Sequence, residues 1–420
     1  MLLKVEDMKR ILAYSIIIFL FTIYIYTLIF RVFPVSAKYF LEIFGLIGSI
    51  KYFSSKHYRL KNSIKWIFRF SIVIVLWDIV VSLFNGTSQF VLAKSIITPI
   101  GSVFGAQFLY SCSKKYIIDH HDFLLVVIYT VFIESLITVL IKFVPPIYDF
   151  FEAIQITQTQ DAEINDLATY HRFIGIGNGL FFAALPSIAI GLLSTVYELH
   201  YTQKSLKRIF LFFSLLFVSL VGFLVVRTSL FIVALSVLLL LLYSRKERFS
   251  KTIGGFMVIT IFIVIIYNLA LSFLDETILK WGFDFLVNRD VSDQNDSAYT
   301  VIEWWKNVHF DFKTLIIGDG LYTNPNGPGY YMGTDIGFFR RIFYGGIIGL
   351  GIILYYHAKI LKYIYLQQRT QEIKLLMLFI FASYLVILAK GDMTILSHVI
   401  LFLVFFERGI FYKVNNNQAK

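Results

Sequence analysis

Runs of about 20 apolar residues, each closed by a short polar or basic stretch, follow one another almost from end to end of the chain. Each run can cross a hydrocarbon core of about 30 Å as a helix, and a segment in lipid must satisfy its own backbone hydrogen bonds. The pattern predicts an all-α, polytopic integral membrane protein forming a single transmembrane domain over 1–420. Twelve helices are expected, at about 11–30, 35–53, 67–84, 90–111, 122–144, 173–197, 209–226, 229–243, 252–272, 336–357, 374–389 and 394–411.

Breakers set the boundaries. Pro145-Pro146 stops the fifth helix, Asn85-Gly86-Thr87-Ser88 is an uncharged turn between the third and fourth, and Arg227-Thr228 is the tip of a tight hairpin. Two longer interruptions remain, 145–172 and 273–335. In the second, Asp275 to Val287 and Ser297 to Val308 mix apolar and charged residues at helical spacing, with Trp281, Trp304 and Trp305 available for the headgroup zone. They predict short helices lying on the outer surface as a lid. The first apolar run follows Lys4, Lys9 and Arg10 as a signal peptide would, but it is long and lacks a small-residue cleavage site, so a retained anchor helix is expected.

Composition agrees: 58% of residues are apolar, 15% charged, and the mean hydropathy is +0.73. A formal charge of +11 raises the question of nucleic acid, but the basic residues form no single patch. They sit in short loops, such as Lys56, Arg59, Lys61 and Lys65, and positive-inside orientation accounts for them without nucleic acid. Both termini are then cytoplasmic and 273–335, with ten acidic against four basic residues, lies outside. The lone cysteine, Cys112, excludes an intrachain disulfide. No Walker sequence and no pair of aspartates spaced by two is present, so neither ATP hydrolysis nor a metal-held nucleotide sugar is supported.

The candidate chemistry lies on the outer side. Arg172, preceded by His171, opens the sixth helix; Arg227 tips the hairpin; Arg340 and Arg341 lie one turn into the tenth helix. Arginines at helix ends often snorkel as anchors, yet Arg227 has no need of the outer side for that. Guanidiniums converging on one cavity would suit a diphosphate, whose oxygens match their fork. Asp335 reads either as the helix N-cap, shared with Thr334, or as an acid that orients a hydroxyl. Other charges read more plainly. Asp290 to Asp296 is a solvated turn, Asp119-His120-His121-Asp122 is interfacial on the cytoplasmic side, and Asp78, Lys94 and Glu134 line cavities or pack helices.

Val225-Val226-Arg227-Thr228-Ser229, then Gly318-Asp319-Gly320, Thr334-Asp335-Ile336-Gly337-Phe338-Phe339 and Tyr344-Gly345-Gly346-Ile347-Ile348-Gly349-Leu350, resembles the O-antigen polymerase (Wzy-type) and O-antigen ligase superfamily. Arg172 with Gly175 and Asn178 is similar to the family's earlier outer-face arginine segment. The ligase branch has a histidine eleven residues before the first glycine of a Gly-x-x-Gly pair; counting back from Gly346 reaches Asp335, which favours polymerase over ligase.

The resemblance implies a family C-like glycosyltransferase architecture in the bacterial inner membrane. It implies inverting, metal-independent transfer with no cofactor, in which a glycan passes from undecaprenyl diphosphate to the terminal sugar of a fresh lipid-linked repeat unit at the periplasmic face. Arg172, Arg227 and Arg340 would hold the donor diphosphate, with Arg341 and His171 beside them, and Asp335 would orient the acceptor hydroxyl. Tyr322, Tyr330 and Tyr331 would stack on sugar rings. Partners implied are the lipid-linked donor and acceptor, membrane lipid, a chain-length regulator and a flippase. The rival readings are the ligase itself and a non-enzymatic polysaccharide flippase; the latter usually shows two related halves, which this chain lacks.

Overall fold

The computed structural model describes residues 5–154, 173, 175–177, 181–244, 304–327 and 329–414. The expected helix at 252–272, the segment 275–287, the turn 290–296, and His171, Arg172 and Asn178 lie outside the described residues. Among the described residues the chain is mostly helical. The helices are α1 (Val5–Tyr26), α2 (Ala37–Phe53), α3 (Asn62–Asn85), α4 (Val91–Ser113), α5 (His120–Phe143), α6 (Pro145–Ile154), α7 (Leu185–Tyr201), α8 (Ser205–Val225), α9 (Ser229–Ser244), α10 (Phe312–Ile316), α11 (Gly337–Gln367), α12 (Gln371–Lys390) and α13 (Leu396–Phe406). Two small antiparallel ribbons join β1 (Ile29–Phe30) to β2 (Phe33–Ser36) and β3 (Tyr58–Leu60) to β4 (Phe411–Lys413).

Seven of these helices, α1, α3, α4, α5, α8, α11 and α12, are long and apolar enough to cross a membrane, and α9 and α13 are shorter apolar helices. The molecule is a membrane-embedded helical bundle. Its core is the apolar stripe of each helix turned inward, while Ile72, Leu76, Leu83 and Phe84 of α3 remain exposed on the opposite side.

Three local expectations change. Pro145-Pro146 ends α5 but also starts α6: Val144 is pushed to an extended backbone, and proline suits a first helical turn because its missing N–H is one that would go unpaired there. The sixth expected helix begins only at Leu185, after a single 3-10 turn at Phe181–Ala184, and Phe173 and Gly175–Gly177 are not helical. Gly177 adopts φ 122 beside the Tyr26 carbonyl, a close approach that a side chain would block. Finally, α11 runs ten residues past the expected end at 357, and Asp335 does not cap it; the cap position is Ile336, and the Thr334 hydroxyl accepts the Ile336 N–H at 3.2 Å.

Contacts at the helix ends sort the bundle into two faces. At one, Tyr14 reaches the Tyr116 carbonyl (3.3 Å), Tyr243 reaches the Glu372 carbonyl (2.7 Å), and β4 lies on β3. Both ends of the described chain are there, together with His121, Glu198 and Lys207, joined at 2.7 and 2.8 Å. At the other face, Phe173 N–H meets the Leu224 carbonyl (3.3 Å), Arg31 N–H meets the Ile154 carbonyl (2.9 Å), and residues 318–323 lie on the α3–α4 turn.

Between the faces, α2 packs tightly on α4: Gly45 abuts the Phe104 carbonyl and Gly101 the Glu42 carboxylate, where a Cβ would collide. Lys38 is buried there, 3.6 Å from Glu42, and donates to Ser102 (2.8 Å) and Ser397 (2.7 Å). Removing the amine strands a carboxylate in a low-dielectric interior. Lys38→Met is therefore expected to destabilise the protein by about 3 kcal/mol, and Lys38→Met with Glu42→Gln by much less. Thermal unfolding in detergent checks this, and equal losses from the single and double variants would contradict it.

Candidate functional site

The site is built around a break in α11. Gly346 sits at φ 67, ψ −177, a conformation essentially reserved for glycine, so α11 is two helical arms meeting at an angle. The break releases three carbonyls from the helical ladder, and each finds a donor elsewhere. Asp319 N–H binds the Phe343 carbonyl (2.6 Å), Gly320 N–H binds that of Tyr344 (3.1 Å), and the Trp77 indole binds that of Gly345 (3.1 Å).

Those bonds dock the turn-rich segment that follows α10 onto the bundle. The uncharged α3–α4 turn holds it from the other side. Asn85 donates to the Gly318 carbonyl (3.1 Å), and the Gln89 amide oxygen accepts from Tyr322 N–H (2.8 Å) and Thr323 N–H (3.2 Å). A Thr323–Tyr330 bridge then folds 323–330 into a small hairpin that carries Tyr330 back over the site. Beneath it Asp78, completely buried, accepts from Ala93 N–H (2.8 Å) and from the Tyr344 hydroxyl, so it serves to join α3, α4 and α11.

Between these walls stand the two adjacent arginines, and their surroundings differ. The Arg340 guanidinium is sandwiched between the Tyr322 ring (4.0 Å) and the Tyr330 ring (3.5 Å). The residue is 7% exposed, and its Nε has no hydrogen-bond acceptor among the described residues. Arg341 Nε instead lies 2.8 Å from both carboxylate oxygens of Asp392, whose side chain is buried. The Tyr322 hydroxyl donates to the same carboxylate. Burial and the Asp392 charge together hold that phenol above its usual pKa, so it remains a donor.

Asp335 is partly exposed and pairs with Lys390 at 3.4 Å, at the end of α12. Deeper in, His357 stacks on Tyr384 (ring centres 4.1 Å apart). Its Nδ1 lies 2.9 Å from the Ile353 carbonyl, which can only accept, so Nδ1 carries the proton and Nε2 accepts from Thr394 (3.0 Å).

Arg340, Arg341, Tyr322 and Tyr330 thus meet in one place, with Asp335 at its rim. Tyr331 turns the other way, against Phe343, with its hydroxyl 3.3 Å from Asp319. Tyr322 and Tyr330 each lay a ring face on Arg340. Arg227 is half-buried at the α8–α9 tip on the same face of the bundle, and Phe173, the residue after Arg172, is hydrogen-bonded to that hairpin.

Sequence reasoning missed Asp392, Lys390, Gln89 and His357. A signal for the first two was present, since Lys390-Gly391-Asp392 interrupts two closely spaced apolar runs. Gln89 gave none, because its partners Tyr322 and Thr323 are distant in the chain, and the stacking of His357 on Tyr384 likewise joins two helices. Comparison with family models, with curated proteins and with solved structures finds no match to this chain.

Proposed function

We propose that the protein is an inner-membrane glycosyltransferase that polymerises undecaprenyl-diphosphate-linked repeat units into a long polysaccharide. Its full topology would be twelve spans with both termini cytoplasmic and the site on the periplasmic side. The carrying observation is a buried guanidinium, Arg340, held between two rings beside a broken helix at the face that also bears Arg227. Discontinuous helices in membrane proteins line ligand sites, and fixed cations in a water-poor cavity stabilise developing anionic charge more than they would in water. The acidic balance of 273–335 and the basic loops elsewhere support the orientation.

In the reaction, an acceptor hydroxyl oxygen attacks the anomeric carbon of the donor sugar. The bond from that carbon to the diphosphate oxygen breaks, and the electron pair leaves with the lipid diphosphate, whose charge Arg340 and Arg227 offset. The hydroxyl proton passes to water. Asp335, at the rim, would orient the hydroxyl as an acceptor of its hydrogen bond. Chain-length regulator and flippase would be the partners that control and supply it.

The test is complementation of a host deleted for this chain, with surface glycan resolved by length. Arg340→Gln and Arg227→Ala are each expected to leave single repeat units attached and no ladder. A full ladder from both variants refutes the reading. Loss of attached glycan altogether, with lipid-linked polymer accumulating, would mean a ligase.

A further inference from the structure

We infer that Asp392 is a positioning residue that divides the labour between the two adjacent arginines, leaving Arg340 as the anion ligand and making Arg341 part of the scaffold. This rests on the reading of the site as one for a lipid diphosphate. Sequence alone treats Arg340 and Arg341 as equivalent, but their environments are not.

Arg341 faces a carboxylate at 2.8 Å from both oxygens, with both partners largely buried, so its charge is compensated within the protein. Among the described residues its Nη1 lacks an acceptor, so the pair keeps hydrogen-bonding capacity without net charge. Among the described residues Arg340 has no carboxylate in pairing range, and its Nε is buried without an acceptor. Among the described residues its positive charge meets two ring faces, which attract a cation but do not neutralise it. A buried donor left unmatched is costly, and a phosphate oxygen is the acceptor that satisfies both its geometry and its charge.

Asp392 makes this arrangement in two ways. It withdraws Arg341 from the anion-binding set. It also fixes Tyr322, because the hydroxyl that donates to Asp392 sets the tilt of the ring lying on Arg340. Tyr322 is therefore the fixed wall of the clamp. Tyr330, 44% exposed and next to Gly329 at φ 95 in the closing pair of the hairpin, has no hydroxyl anchor of that kind among the described residues and is the wall that a ligand displaces.

The experiment uses the full chain in lipid nanodiscs and titrates geranylgeranyl diphosphate as the probe, with geranylgeraniol as the uncharged control. Wild type is expected to bind the diphosphate and to prefer it to the alcohol. Arg340→Gln should weaken diphosphate binding at least tenfold. Arg341→Gln with Asp392→Asn, which removes both charges of the pair and keeps hydrogen-bonding groups at both positions, should stay within about threefold of wild type. Tyr322→Phe, which keeps the ring but frees its tilt, should weaken binding by an intermediate factor.

If Arg341→Gln/Asp392→Asn loses as much binding as Arg340→Gln while circular dichroism and size-exclusion profiles match wild type, Arg341 is a ligand and the inference fails, although the diphosphate site stands. If wild type binds alcohol and diphosphate alike, the site is not one for diphosphate, and the functional reading fails with the inference.

Discussion

Gly346→Ala is expected to destabilise the folded bundle by about 3 kcal/mol and to abolish the site. The backbone at φ 67, ψ −177 is strained by roughly 1–3 kcal/mol for any residue with a side chain. The added Cβ would also run into the Ile316 carbonyl and the Ile317 amide, which are backbone atoms and cannot rotate away. Relief requires the break to straighten. A straight α11 reclaims the Phe343 and Tyr344 carbonyls for its own ladder, which unseats Asp319 and Gly320 and, with them, the hairpin carrying Tyr330. Gly351, one turn further along, meets nothing within 4 Å of a Cβ and lies in ordinary helix. Gly351→Ala should be neutral or stabilising by up to about 1 kcal/mol. Thermal unfolding of both variants in the same detergent separates the two, and equal midpoints would show that the break is not obligatory.

Asp392→Leu is the second large effect, expected to cost about 3–5 kcal/mol. It removes one member of a buried ion pair and leaves the Arg341 guanidinium desolvated and uncompensated, a far worse state than the loss of both charges. Adding Arg341→Met should restore most of the lost stability, since two apolar groups of similar volume can fill the same space. The double variant thus isolates stability from function: a well-folded protein with Tyr322 no longer anchored. Chemical denaturation of the single and double variants provides the measurement. A double variant as unstable as Asp392→Leu would mean that the carboxylate acts through Tyr322 or Gly391 rather than through Arg341.

Much of the bundle was legible because lipid imposes a one-dimensional rule. Apolar length alone located α1, α3, α4, α5, α8, α9 and α12 to within a few residues at most ends, and turn chemistry located the α8–α9 hairpin. The candidate site was legible in part. Arg340 and Arg341 stood out because charged groups at the start of an apolar helix are expensive, and Tyr322 and Tyr330 because they crowd a turn-rich loop. Their relation to one another was not legible. Nothing local distinguishes Arg340 from Arg341, since adjacent positions on a helix differ by about 100° in direction and only the packing partners decide what each direction meets. The segment at 173–184 misled for a related reason: its apolar composition suits a helix, but Gly175 sits against the Glu134 carboxylate and Gly177 against the Tyr26 carbonyl, contacts made by residues far away in the chain.

By itself, then, the sequence determined that this chain is a helical membrane protein, where most of its helices run, and where its rare charges fall along them. Each of these follows from burial in lipid, a property of segments taken one at a time. The tertiary structure alone decided that α11 breaks at Gly346, that Asp392 claims Arg341, and that two tyrosines enclose Arg340. These depend on carbonyls, rings and carboxylates brought together from α3, the hairpin closed by Thr323 and Tyr330, α11 and the α12–α13 connection, whose pairing costs and gains arise only when the helices have packed.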